Sequence, residues 1–362
     1  MGEQAPERVV VALSGGVDSS LAAALLQAEG HDVIGVTLHL WDAEGSQRVG
    51  RCCAPEDRDD ARATCELLGI PHYVFDERAA FRRYVVDPFV HDNLAGETPS
   101  PCVACNQQVK LGRLWGIAES LGASALATGH YVRTAPLEDG EGVALLRGRD
   151  AGKDQSYFLY GVEPALLSRL RFPLGDLEKD AARELAREFA LPNWNKPDSQ
   201  ELCFIPDGDV SGFIKAQAGD APAAVAGAIV DEDGTELGRH AGIEGFTIGQ
   251  RRGLGVSGPS PRYVLRVVAD QETVVVGGAE RLLQPALQAT DAAWPGGMPV
   301  GAFDAHVRFR HGQRPVAARV EPTADGFRAL FDAPQRAIAP GQAAVVYLGE
   351  RVVGGGIIQE PR

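Results

Sequence analysis

Residues 9–26 read VVVALSGGVDSSLAAALL. A β-branched run, Arg8 to Leu13, ends in Ser-Gly-Gly, and an Ala/Leu-rich segment, Ser19 to Glu29, follows and stops at Gly30. Consecutive valines favour a buried strand. Glycines let the backbone turn tightly and approach a ligand closely. A helix that opens at once presents N–H groups and the positive end of its dipole. Strand, glycine turn and helix make a cradle for phosphate or pyrophosphate. It is not a Walker loop, because no Gly-Lys-Ser/Thr follows. The plain alternative is a glycine turn with an Asp/Ser cap. The conjunction of Ser14, the acid Asp18 and a second hydroxyl, Ser19, weighs against it.

Outward from this loop, strand-like and helix-like segments alternate. Asp32–Leu40 and His72–Phe75 read as strands, and Pro55–Leu68 as a helix with Gly69 just past its end. A helix is expected from about Gln107 to Leu121, a strand at Ala125–Ala127 and an amphipathic helix at Asp180–Phe189. This alternation predicts an α/β domain with a parallel sheet. Near Pro206 the texture changes. From Gly227 onward short strands are separated by Gly and Pro turns, the pattern of small β-rich domains. In Asp304–Arg310, Ala305, Val307 and Phe309 alternate with His306, Arg308 and Arg310, which predicts one buried face and one basic face.

The chain has 362 residues, 44% apolar and 23% charged, with a net charge of −14. This is a multidomain globular composition. No apolar run approaches a membrane span, and the polar Met1–Arg8 lacks a signal-peptide layout. We therefore expect a cytoplasmic protein with no membrane partner. The negative charge argues against nucleic acid only as a surface-wide sum, since a local basic face can still hold a phosphate backbone.

Six cysteines are too few for a disulfide scaffold in a chain this long. Cys102 and Cys105 form the single CxxC, which suits a zinc knuckle, a redox dithiol, an iron–sulfur ligand pair or a nucleophile with a helper. Cys105 lies just before the helix expected from Gln107, a position that lowers a thiol pKa. Cys203, in the apolar LCFI, reads by itself as an inert core thiol. Cys65 falls inside a helix and reads as core. The vicinal Cys52 and Cys53 are poor chelators of one ion and stay unassigned.

The SGGVDS loop resembles that of the PP-loop ATP pyrophosphatases, which split ATP into AMP and pyrophosphate to activate a substrate oxygen. Further stretches narrow the likeness: ETPSPCVACNQQVKLG, ALATGHYVR, GKDQSYFLYGV, SQELCFIP, FTIGQRRGLGV and IAPGQAAVVY occur in this order. Together, from about Val9 to Tyr347, they resemble the bacterial tRNA-specific 2-thiouridylases. The resemblance implies a PP-loop domain over 1–206, a small central domain over 207–284 and a C-terminal β-barrel over 285–362. It implies ATP-dependent thiolation of the wobble uridine of tRNAs for Lys, Glu and Gln, with a cysteine desulfurase or sulfur relay protein as donor.

The same resemblance assigns residues. Ala12, Leu13, Ser14, Gly15, Gly16, Val17, Asp18 and Ser19 hold ATP, with Asp18 helping to hold Mg2+, and Leu38 and Gly129 flank the adenosine. Cys105 is the nucleophile and Cys203 carries a persulfide, released through a Cys105–Cys203 disulfide. Ser100, Pro101, Cys102, His130, Lys153, Asp154, Gln155, Arg308, Phe309 and Gln342 contact tRNA, His130 at the target base or elsewhere on the RNA. Arg251 and Arg252 are additional phosphate candidates.

One position departs from the family. Many members carry Asp, with an acid/base role, where this chain has Cys102. A thiol, with an ordinary pKa near ~8.5, is a different acid. Two readings stay open. In one, Cys102, Cys105 and Cys203 ligate a [4Fe–4S] cluster with one open iron. In the other, Cys102 is a spare thiol. The competing functions are another PP-loop ligase with a small substrate and a non-enzymatic zinc-stapled RNA-binding module. The latter needs four N/S ligands, and no second CxxC or CxxH exists.

Overall fold

The computed structural model describes residues 6–42, 55–137, 142–198, 202–205, 207–218, 225–258 and 260–360. Cys52 and Cys53 lie outside them, as does Pro206, where the texture changes. The chain divides into two compact units. One holds Met1–Val85, Cys102–Gly208 and Glu350–Val352; the other holds Val86–Pro101, Asp209–Gly349 and Val353–Arg362.

The first unit is built on β1 (Arg8–Ala12), α1 (Val17–Ala28), β2 (Asp32–His39), α2 (Pro55–Leu68), β3 (His72–Asp76), β4 (Ala125–Ala127), the hairpin β5 (Val132–Pro136) and β6 (Val143–Arg147), and β7 (Leu170–Arg171). The parallel sheet runs β3-β2-β1-β4-β7. The valines of β1 are buried because helices cover the sheet: Val9, Val11, Leu21, Ala23 and Ala61 share one core with Ala182 and Ala186 of the Lys179–Glu188 helix. That parallel sheets are covered on both faces explains why β1 is continuously apolar instead of alternating.

Most element boundaries match the sequence reading within a residue or two. The exception is the helix expected from Gln107. The helical run begins at Pro101, as α-helix Pro101–Ala104, widens to a π-helical stretch at Cys105–Leu111, and continues as α-helix Gly112–Ser120. Proline at a first helical position is a start signal, and Ser100-Pro101 carried it.

In the second unit a four-stranded sheet is formed by β8 (Gly227–Val230), β9 (Glu236–His240), β10 (Tyr263–Val268) and β11 (Thr273–Gly277), in the order β10-β11-β8-β9. Ile229, Val264, Val274 and Val276 form its core. A closed six-stranded barrel follows from β12 (Leu283–Ala293), β13 (Phe303–Arg308), β14 (Val316–Pro322), β15 (Gly326–Arg336), β16 (Ala343–Leu348) and β17 (Arg351–Ile358), in the order β12-β15-β14-β13-β16-β17. Ala289 pairing Ile358 closes it. Period-two alternation fills it: Ala305, Val307 and Phe309 point inward with Val320, Phe327 and Val346.

Candidate active site

The phosphate loop leaves the carboxyl end of β1, the strand between β2 and β4. In open parallel sheets ligands bind beyond the strand carboxyl ends where the strand order reverses. Leu38, next to last in β2, and Gly129, two residues past β4, belong to the two flanking strands. The ATP-binding residues expected from sequence are thus gathered on three adjacent strand ends.

Gly15 sits at φ +75°, and a Cβ there would lie 2.1 Å from the Asp57 carbonyl oxygen, so both conformation and space require glycine. Gly129 is also closely packed: a Cβ would meet the Asp18–Ser19 backbone at 2.7 Å. Gly16 caps α1 without a side chain. Inside the loop the Ser19 hydroxyl accepts from the Ser14 N–H at 3.2 Å and donates to the Gly16 carbonyl at 2.9 Å. Ser19 therefore shapes the turn.

Several residues not singled out from sequence hold this loop. The Gly15 carbonyl accepts from Asn193 Nδ2 at 2.9 Å and Lys196 Nζ at 3.1 Å. Lys196 also binds Asp57 and Asp60, each at 2.5 Å, and Asn193 reaches the Ser20 hydroxyl at 3.0 Å. Asp18 accepts the Tyr131 hydroxyl at 2.8 Å and the Lys179 ammonium at 2.7 and 2.8 Å. Burial first, and then Asp18, raise the Tyr131 pKa, so the phenol stays a donor. Lys179 also binds Asp198 at 2.9 Å, and Asp198 binds Lys153 at 2.6 Å and Arg183 at 3.0 Å. Burial alone would raise the Asp198 pKa, but the bonds from Lys153 and Lys179 outweigh it and bring it down to about 2.

The cysteines fall on two elements of the first unit. Cys102 is the second residue of the helical run and is half-buried. Cys105 opens the π-helical stretch and is 5% exposed. The helix-terminus argument for acidifying Cys105 therefore lapses: four residues of α-helix precede it, and the first-turn thiol is Cys102. The Asn106 amide donates to the Cys102 carbonyl at 2.9 Å. Asn106 Oδ1 and Gln107 Nε2 are buried with no hydrogen-bond partner among the described residues. Cys203 is half-buried, whereas its neighbours suggest a core thiol; Phe204 and Ile205 are the buried anchors, with Phe204 edge-on to Phe81. Cys65 is core as expected, its pKa pushed up to about 12 by burial and Glu66. Among the described residues the four thiols form no disulfide, and no group of three His, Cys, Asp or Glu could hold a metal ion.

The residues expected to touch RNA divide into reachable and buried side chains. The Lys153 side chain is 37% exposed. Asp154 is 2% exposed and ties the N–H groups of Gly148 and Ser156, each at 3.1 Å, and Arg147 at 3.2 Å. Gln155 Oε1 accepts from the Tyr131 N–H at 3.0 Å. His130 binds the Thr128 hydroxyl at 2.7 Å and lies edge-on to Phe172. Burial, then Lys110, holds its pKa at about 3, so the imidazole is neutral.

In the second unit the expected outward placement of Arg308 is corrected. Arg308 is 5% exposed, its guanidinium turned back onto the Arg310 and His311 carbonyls. It is the last paired residue of β13, and its burial comes from those carbonyl contacts, which the period does not report. Phe309 is buried in the barrel core, as its period predicts. Gln342 Nε2 donates to the Thr98 carbonyl at 2.6 Å and thereby fixes the segment leading to Ser100 and Pro101. Arg251 and Arg252 are exposed.

The fold and loop define a PP-loop protein of the HUP class. The family model "tRNA methyl transferase HUP domain" matches residues 7–207, its "PRC-barrel domain" companion 212–278, and "Aminomethyltransferase beta-barrel domain" 284–358. The chain is 51% identical to the tRNA-specific 2-thiouridylase MnmA of Sorangium cellulosum over 97% of this chain and 92% of that one. It is 48% identical to the Magnetococcus marinus protein of the same name over 98% and 99%. The chain belongs to the tRNA-specific 2-thiouridylase family. Among solved structures, a 4-thiouridine synthetase–RNA complex with bound ATP aligns over 53% of this chain and 43% of that one, at 18% identity and TM-score 0.33, a likeness too low to bear on the assignment.

Proposed function

We propose that this chain is an ATP-dependent sulfurtransferase that replaces the O2 of the wobble uridine of tRNAs for Lys, Glu and Gln with sulfur. The observation that carries the reading is one unit holding both the phosphate loop Ala12–Ser19 and the thiols Cys105 and Cys203, in a chain related along nearly its full length to 2-thiouridylases. The family model's label speaks of methyl transfer; thiols in the same unit as an ATP loop favour sulfur.

The uracil C2 oxygen is a poor leaving group. Transfer of AMP from ATP onto it, with release of pyrophosphate, makes a good one. The loop N–H groups and the α1 dipole suit the phosphate charge. The terminal sulfur of a Cys203 persulfide attacks C2 and AMP departs. The Cys105 thiolate then attacks Cys203 Sγ, a Cys105–Cys203 disulfide forms, and the sulfur stays on C2. A cellular thiol reductant reopens the disulfide. Asn106 Oδ1 and Gln107 Nε2, buried beside Cys105, suit the polar edge of a base, because buried polar atoms are normally satisfied.

ATP brings Mg2+, which asks a protein for one or two carboxylates and takes the rest from phosphate and water. Asp18 fits that demand, though both its oxygens are held by Lys179. The cluster and zinc readings lack a gathered ligand set among the described residues. The sulfur arrives on a cysteine desulfurase or relay protein, and the reaction is cytoplasmic. The working domain division is 1–206, 207–284 and 285–362. Among the described residues no helix is long and apolar enough to cross a membrane.

The test is to mix purified protein, Mg·ATP and unmodified tRNA and to follow AMP and pyrophosphate. Formation that requires tRNA supports the reading. Equal formation without RNA points to the small-substrate ligase.

A further inference from the structure

A line of alternating charges runs from the phosphate loop to the surface. The Asp18 carboxylate is bound by Lys179 at 2.7 Å, Lys179 by Asp198 at 2.9 Å, and Asp198 by Lys153 at 2.6 Å. Exposure rises along its outer half, from 9% of the Lys179 side chain through 22% at Asp198 to 37% at Lys153. Asp150 fixes both lysine backbones, accepting from the Lys153 N–H at 3.2 Å and the Lys179 N–H at 3.0 Å. The Lys179 ammonium also faces the Tyr131 ring at 5.6 Å. The lysines are thus anchored while their ammonium groups are shared.

We propose that Lys179 and Asp198 are positioning residues of the ATP site, which hold the Asp18 carboxylate in reserve and release it when Lys153 takes an RNA phosphate. The proposal rests on the tRNA reading above. A phosphate at Lys153 removes one of the three cations that Asp198 holds. Asp198 then draws Lys179 more strongly, and Asp18, less occupied, is available to the metal that accompanies ATP. Because such coupling is reciprocal, Mg·ATP must tighten RNA binding by the same factor.

The test measures binding of the magnesium complex of a non-hydrolysable α,β-methylene ATP, with and without saturating unmodified tRNA, and the converse. The wild type should bind the analogue about fivefold or more tightly with tRNA, at the lower end of ordinary coupling, and bind tRNA correspondingly better with the analogue. Lys153→Met should bind the analogue without RNA nearly as well as wild type does with it, and tRNA at saturation should add little. Asp198→Asn should bind it weakly with or without tRNA. A purely structural role would lower both affinities and leave the coupling factor intact, which overturns the proposal, as does a wild-type factor of one. Wild-type protein that binds no tRNA at all contradicts the functional reading, and the proposal with it.

Discussion

The Lys196 ammonium lies 3.1 Å from the Gly15 carbonyl oxygen, across 181 positions of chain, and is clamped between Asp57 and Asp60. The phosphate loop is held from behind by a buried ion cluster. Burial opposes the Lys196 charge, but Asp57 and Asp60 outweigh it and raise its pKa. For a raised cation, the stabilisation is complete below the ordinary lysine pKa and is lost only as pH rises through the folded value, so it is fully present at neutral pH. Lys196→Met leaves Asp57 buried without its countercharge and should cost about 3–5 kcal/mol in urea unfolding. Wild-type stability in that variant would remove the cluster from the account.

Gly15→Ala and Gly16→Ala should separate sharply. The first places a methyl 2.1 Å from the Asp57 carbonyl at positive φ, whereas the second meets only the Ser14 hydroxyl at 3.5 Å. Gly15→Ala should lose pyrophosphate release by about 100-fold or more, the scale of an ångström-sized misplacement. Gly16→Ala should retain a measurable fraction. Equal behaviour of the two would contradict the loop geometry.

His130 should be neutral in the working enzyme. Its pKa, held at about 3 by burial and Lys110, lies below the ordinary value. The stabilisation from burying the neutral ring is therefore present above the ordinary histidine pKa and declines as pH falls toward 3. The His130 C2 proton in NMR should not shift between pH 5 and 8. A midpoint near 6.5 would place the ring in water.

Lys153 and Arg308 should differ in kind. Lys153→Met should lower the slope of log affinity for tRNA against log salt by about one unit, as loss of one phosphate contact does. Arg308→Met removes a buried donor to two carbonyls and should cost about 1–3 kcal/mol of stability, with the salt slope unchanged. An altered slope for Arg308→Met would return it to the RNA face.

These contrasts mark where the sequence was legible. β1, the glycine turn and α1 follow from local chemistry, and so do the alternating barrel strands, because period and turn residues act over a few positions. Lys179, Asn193, Lys196 and Asp198 were missed because their partners lie far away in the chain; Asn193, Lys196 and Asp198 sit in the polar stretch NWNKPDS, which reads as solvated loop. Asp154, in the polar stretch GKDQS, is likewise held by buried bonds to the Gly148 and Ser156 N–H groups, which local polarity does not show. Arg308 was misplaced because alternation says nothing of a long side chain folding back: its guanidinium is held by the Arg310 and His311 carbonyls. The start at Pro101 was readable, and with it the position of Cys105 inside the helical run.

The most direct test is mass spectrometry of nucleosides from unmodified tRNA incubated with the purified protein, Mg·ATP and a persulfide donor. The account predicts a 16-dalton gain at the wobble uridine, from oxygen replaced by sulfur, one AMP per thiolation, and no product from Cys105→Ser or Cys203→Ser. A methylated nucleoside, or thiolation that persists in both cysteine variants, would contradict it.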